Sequence, residues 1–158
     1  MTRLRVTGEM SPAIFHHGLD TAYPDIFRWP FNELMADGGL VTIGSDWVLT
    51  PNPSLFDALA YIVDKLKYTP GNERRLADSC KTKREIGGEI ICEIITLNGA
   101  MAVGADMRTG SIEVGKRANF IAVDRGLSKG EFAGAKILKA WFEGKMVYSS
   151  NVTGSRTF

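Results

Sequence analysis

The residues with the clearest capacity for chemistry lie at 39–47, Gly39-Leu40-Val41-Thr42-Ile43-Gly44-Ser45-Asp46-Trp47. Residues 40–43 are an apolar run with enough β-branching for a buried strand rather than the start of a helix. The run passes into small residues and then presents a carboxylate, Asp46. A lone acid at the C-terminal end of a buried strand is where α/β barrels place catalytic groups. On local sequence alone two readings stand. Asp46 is a turn or capping aspartate that terminates the strand, or it is a metal-binding or proton-transferring carboxylate at the mouth of a site.

Other groups offer less. The two histidines, His16 and His17, are adjacent, so on an extended segment they point to opposite sides and cannot chelate one ion together. Glu9, just before Met10-Ser11-Pro12, either faces the same mouth or is a paired surface acid. Lys116 stands near glycines, but no strand, Gly-rich loop and helix surround it as a phosphate loop requires. Ser11, Ser45 and Ser111 lack the Gly-x-Ser-x-Gly elbow of a serine hydrolase. Cys80 and Cys92 are too far apart for a zinc knuckle and too few for a disulfide framework, so they read as free thiols of a reducing, cytoplasmic compartment.

At 158 residues, 44% hydrophobic and 23% charged, the chain has the size and composition of a soluble domain with a real core. Nineteen basic and eighteen acidic residues leave a net charge of +1. That balance gives no electrostatic reason to expect nucleic acid or an anionic membrane as partner. No apolar run approaches the roughly 20 residues of a membrane span, and the N-terminal apolar stretch is too short for a secretory signal.

The elements that must position Asp46 follow from pattern. Residues 4–10 have strand character and stop at Ser11-Pro12. Residues 30–37 form a short helix, with Pro30 near its start and Gly38-Gly39 closing it. With the strand at 40–43 this makes one βαβ unit and calls for parallel pairing. Residues 54–66 are the clearest helix, with Ser54 as cap, Asp57 in the first turn and Leu55, Leu59, Ile62, Val63 and Leu66 as the inner stripe. A second helix runs over 84–103 on a stripe of Ile86, Ile90, Ile94 and Leu97. Gly87-Gly88 weakens its start, which sets the ordered beginning near Glu89, and Gly104 ends it. Short strands are expected at 111–114, at 120–123 (buried) and at 137–142 and 145–148. The last two flank a Glu143-Gly144 hairpin turn. Residues 127–135 read as loop. The class is mixed α and β.

Gly44-Ser45-Asp46-Trp47 followed by Pro51-Asn52-Pro53 resembles the last-strand signature of the metal-dependent amidohydrolase superfamily, nearest its amidohydrolase-3 type. Three later pieces resemble that family in the same order. They are Thr96-Leu97-Asn98-Gly99-Ala100-Met101-Ala102, Thr109-Gly110-Ser111-Ile112-Glu113-Val114-Gly115-Lys116 and Ala118-Asn119-Phe120-Ile121-Ala122-Val123-Asp124. Asn119 departs from the family, which usually has Asp there.

The resemblance implies the C-terminal portion of a (β/α)8 TIM-type barrel, its last two strands and following helices, plus part of a small composite β-sandwich. The expected division is 1–107 barrel, 108–150 β-domain and 151–158 a loose tail. The implied activity is hydrolysis of a non-peptide, amide-type C–N bond of a small molecule. In it Asp46 is catalytic group and ligand of a divalent metal, zinc in most of the family, and Trp47 and Asn52 line the substrate pocket. Such a site needs a His-x-His pair and two further histidines, and this chain has only His16 and His17. The chain therefore resembles the C-terminal third of a longer enzyme, with no metal expected on it alone. The rival reading is a non-catalytic remnant or packing module that needs a partner chain. Either way open sheet edges lead to the expectation of a homo-oligomer or of a complementary chain covering the barrel edge.

Overall fold

The structure, a computed structural model, describes residues 7–11, 22, 31–45, 54–66 and 80–150. Strands β1 (Gly8–Met10) and β2 (Val41–Ile43) run parallel, with Gly8 opposite Val41, Glu9 opposite Thr42 and Met10 opposite Ile43. The ladder is tied at one end by the Gly8 N–H to the Leu40 carbonyl (2.8 Å) and at the other by the Gly44 N–H to the Met10 carbonyl (3.0 Å). Parallel neighbours need a crossover, and helix α1 (Phe31–Ala36) lies within it. The strand–helix–strand order read from the sequence is the order observed. Gly38 ends α1 at φ +74°, a conformation that costs glycine little.

Helix α2 (Phe56–Leu66) starts behind Ser54, whose Oγ accepts the Phe56 N–H at 3.3 Å. Its Leu59, Ile62 and Val63 are buried, as the stripe required. Helix α3 (Lys83–Glu93) begins earlier than the glycines suggested. Thr82 accepts the Glu85 N–H while the Glu85 carboxylate accepts the Thr82 N–H, a reciprocal cap. The cap offsets the poor helix propensity of Gly87 and Gly88. Gly88 also has a packing reason, because a Cβ there would lie 2.5 Å from the Gly130 nitrogen. The helix then widens into a π-helical segment (Ile94–Asn98), resumes as α4 (Gly99–Ala102) and stops at Gly104, φ +65°.

One apolar cluster joins these pieces: Met10 and Val41 from the sheet, Phe31 from α1, Leu59 from α2, and Ile90 and Ile94 from the α3 helix line. Each such side chain contributes about 1.5–3 kcal/mol when fully buried. The segment expected as loop at 127–135 also enters this core. It forms a 3-10 turn (Leu127–Lys129) and buries Phe132 completely. The Arg84 guanidinium donates to the Gly130 carbonyl (2.8 Å), and the Gly134 N–H donates to Asp57 Oδ1 (3.0 Å). A polar stretch holding a single anchoring phenylalanine has no period to betray it.

Strands β3 (Phe120–Val123), β4 (Ile137–Phe142) and β5 (Lys145–Ser149) make an antiparallel sheet in sequence order. Glu143 and Gly144 both take positive φ, 48° and 78°, as a type I′ hairpin turn demands. Two expectations are corrected. Residues 111–114 form no strand, and Ile112 and Val114 are 89% and 107% exposed. Strand β3 is not buried: Phe120 and Ile121 are 39% and 47% exposed. Apolar runs signal burial only where a second layer covers them, and among the described residues neither face of this sheet is fully covered.

Candidate functional site

Strand alternation gives the β1–β2 pair two different faces. Met10, Val41 and, partly, Ile43 join the helical core on one side. Glu9, Thr42 and Gly44 belong to the other, with Ser11 following in the same alternation. A Cβ on Gly44 would lie 2.9 Å from Glu9 Oε1 and 3.0 Å from Ser11 Oγ. Gly44 therefore leaves space for a carboxylate and a hydroxyl at the C-terminal end of the strand, and Ser45 beside them is exposed. Glu9 is itself exposed at this strand end.

Asp46, Trp47 and Asn52, with His16 and His17, lie outside the described residues. Among the described residues no group of three or more His, Cys, Asp or Glu side chains is arranged to hold a metal ion. Glu9 and Ser11 alone do not make a fitting donor set for the divalent metal that the resemblance implies.

Asn98 is the site-linked residue that side-chain chemistry alone would pass over. Its Nδ2 donates to the Val41 carbonyl at 3.1 Å, joining the π-helical segment to β2 across 57 residues. A polar residue four positions after Ile94, in the line of the isoleucine stripe, was the available signal.

A cavity of about 840 Å³ opens elsewhere, between the end of the α3–α4 helix line and the β3–β4 sheet. Ala100, Val103, Phe120 and Trp141 give it apolar walls, and Ser111, Glu113 and Lys116 a polar rim. The Lys116 ammonium donates to Ser111 Oγ (2.6 Å) and Glu113 Oε1 (3.2 Å), and Ser111 Oγ bonds the Glu113 carboxylate. Those bonds, the one from Ser111 first and Lys116 second, hold the Glu113 carboxyl below its usual range. Lys116 is thus the cation of an ion pair that braces the 111–116 turn.

Both cysteines are free, Cys80 exposed and Cys92 half-buried, and burial pushes the Cys92 thiol up. This runs against the depressed pKa of a reactive thiolate. No helix among the described residues is long and apolar enough to cross a membrane.

The sequence profile of the amidohydrolase family matches residues 22–149. No curated protein matches the chain. Among solved structures, an adenosine deaminase from Xanthomonas campestris with bound zinc superposes with a TM-score of 0.60 at 22% identity, over 89% of this chain and 31% of that one. E. coli guanine deaminase gives a TM-score of 0.59 at 14% identity, over 95% of this chain and 36% of that one. A 5-methylcytosine deaminase from Klebsiella pneumoniae gives 0.59 at 16% identity, over 96% and 36%. At these identities the likeness is one of fold. The chain spans about a third of the length of the structures it matches.

Proposed function

The chain belongs to the amidohydrolase family, and from that premise we propose that it is part of an enzyme of the amidohydrolase-3 type that hydrolyses a non-peptide C–N bond of a small molecule. The observation that carries this reading is the two-faced parallel pair. Met10 and Val41 turn to the helices, while Glu9, Thr42 and Gly44 share the opposite face. That layering supports the reading of a barrel wall, which has helices outside and the site at the C-terminal strand ends. In this reading residues 1–107 are the end of a (β/α)8 barrel, 108–150 part of a composite β-domain, and 151–158 a tail.

Asp46 follows β2 by three residues and is the carboxylate this chain contributes. A carboxylate there takes a proton from the attacking water and returns it to the departing amine, which leaves poorly as an anion. Trp47 and Asn52 contact the substrate. The resemblance, and a structural neighbour with bound zinc, support a divalent metal in the complete enzyme, where it supplies Lewis-acid chemistry. In this reading the histidine donors come from polypeptide other than these 158 residues.

A non-catalytic module that packs on a partner chain is the second reading, favoured by Ile112 and Val114 at 89% and 107% exposure. One experiment separates the two. The chain is assayed with zinc against a panel of N-acyl and N-formyl amines, alone and assembled with a polypeptide that carries the His-x-His strand and the remaining histidines. The proposal expects hydrolysis only from the assembly, reduced at least 10²-fold by Asp46→Asn, the lower end of what positioned proton transfer contributes. Hydrolysis that Asp46→Asn leaves unchanged, or an assembly that forms and turns over nothing, would overturn it.

A further inference from the structure

We propose that Asn98 is a positioning residue for the strand end that leads to Asp46, acting through the main chain of β2; the inference rests on the reading of Asp46 given above. In the β1–β2 ladder the bonds from β2 come from Leu40 and Gly44, so in a parallel pair the alternate residues, Val41 and Ile43, aim their main-chain groups at the opposite edge. Val41 is completely buried. A buried carbonyl on that edge needs a donor, and the Asn98 carboxamide is the donor, at 3.1 Å. Among the described residues, β2 is therefore held on one edge by β1 and on the other by the Asn98 side chain.

The π-helical segment is what delivers that side chain. In a continued α-helix, Asn98 would be rotated by roughly 80° from Ile90, two steps of four residues at about 100° each. The wider i→i+5 turn takes up an additional residue and rotates the end of the segment back toward the core stripe. Ile94, Ile90 and Asn98 can then all face inward, and Asn98 reaches Val41. The segment is wedged from its other side as well. A Cβ on Gly110 would lie 2.6 Å from Ala100 Cβ and 3.2 Å from the Leu97 Cα, so the 109–111 turn closes directly onto it. Such segments persist when a contact depends on them, and the contact here ends on the strand that carries the site.

The test is residue-resolved amide hydrogen exchange on the full chain, comparing wild type with Asn98→Asp, which keeps the shape but cannot donate when ionised. Gly99→Ala serves as a neighbouring control that leaves the bond alone. Losing one net hydrogen bond corresponds to about a tenfold change. Exchange at Ile43, Gly44 and Ser45 should rise about tenfold in Asn98→Asp, with Leu59, Ile62 and Val63 in α2 within about twofold of wild type. Equal acceleration in α2 and β2 would reduce Asn98 to general stability and overturn the proposal, as would unchanged exchange in β2. If Asn98→Asp does not fold, the scalar coupling between the Asn98 side-chain nitrogen and the Val41 carbonyl carbon is read in wild type, and its absence overturns the proposal. In the assembled hydrolysis assay, Asn98→Asp should lower kcat with KM little changed. A normal kcat in Asn98→Asp, with Asp46→Asn inactive, sinks the positioning claim alone. An active Asp46→Asn sinks the reading of Asp46 instead.

Discussion

A methyl group added to Gly88 would meet the backbone nitrogen of Gly130 at 2.5 Å, with the Leu127 and Ser128 carbonyl oxygens at 2.7 Å. All three atoms are main chain and belong to the segment that inserts Phe132 into the core, so none can swing aside. Ala exceeds Gly in helix propensity by about 1 kcal/mol, but forcing extra volume into a filled interior costs about 1–3 kcal/mol. With backbone as the obstacle the second effect should win. Gly88→Ala should lower stability by about 1–2 kcal/mol in a urea melt. Gly99→Ala meets only the Ile94 carbonyl oxygen, at 3.9 Å, and should raise it by about 0.5–1 kcal/mol.

The reciprocal cap of α3 makes a pH prediction. The Glu85 carboxyl lies below its usual range, chiefly because it accepts the Thr82 main-chain N–H and then the Thr82 hydroxyl. A carboxyl whose folded pKa is depressed contributes stability above its unfolded pKa and loses it as pH falls through the folded one. The Tm difference between wild type and Glu85→Gln should therefore be full near neutrality and shrink as pH falls below the ordinary glutamate range. A difference that stays constant or grows toward acid would contradict the cap. Thr82→Ala, which removes the side chain facing the helix end, should cost about 1 kcal/mol at neutral pH.

Asn119 occupies a position where the resembled family usually carries Asp, and the structure explains why the exchange is tolerated. Its Oδ1 accepts the Glu143 N–H at 2.7 Å, and the neighbouring Ala118 carbonyl accepts the Gly144 N–H at 3.0 Å. The role needs an acceptor, which both residues supply. Asn119→Asp should shift Tm by no more than a degree or two, since surface changes that keep their bonds stay within about 0.5 kcal/mol. Asn119→Ala orphans a donor at a strained turn and should cost about 1 kcal/mol, read by thermal melting.

The elements around β2 were legible because their signals are local. Leu40 to Ile43 is a β-branched run, Gly38 and Gly39 close α1, and Leu59, Ile62 and Val63 keep helical spacing. The parallel pairing of β1 with β2 followed from order alone. What stayed hidden depends on contacts between distant segments. Gly87-Gly88 looked like a weak helix start because the sequence does not show Gly130 pressed against it. Phe132 looked like loop because one buried aromatic has no period. Ile112 and Val114 looked like strand because alternation does not say whether a neighbouring layer exists. The Asn98–Val41 bond was invisible for the same reason. Asp46 was singled out by sequence pattern and lies outside the described residues, while the grouping of Glu9, Ser11 and Gly44 at the end of β2 came only from the register of β1 against β2.

Exposed apolar surface on the β3–β4–β5 sheet predicts association. Phe142, Met146 and Val147 are 56%, 56% and 64% exposed, in addition to Ile112 and Val114. Apolar side chains left this exposed, on the sheet and in the 111–116 turn beside it, mark an interface or an aggregation hazard. Light scattering on the purified chain should show an oligomer or concentration-dependent growth, and Ile112→Lys with Val114→Lys should reduce it. A monodisperse monomer that melts cooperatively would contradict the expectation of a covering layer.

In the proposed function, Asp46 is one corner of a hydrolytic metal site whose histidine corners come from other polypeptide. Zinc per protein, measured by elemental analysis after dialysis, tests it most directly on three samples: the chain alone, the assembly with the histidine-bearing polypeptide, and that assembly with Asp46→Asn. The chain alone should carry far less than stoichiometric zinc, the wild-type assembly at least about one zinc, and the Asp46→Asn assembly should lose most of it. Tight one-to-one zinc on the isolated chain, or an assembly whose zinc is unaffected by Asp46→Asn, would contradict it.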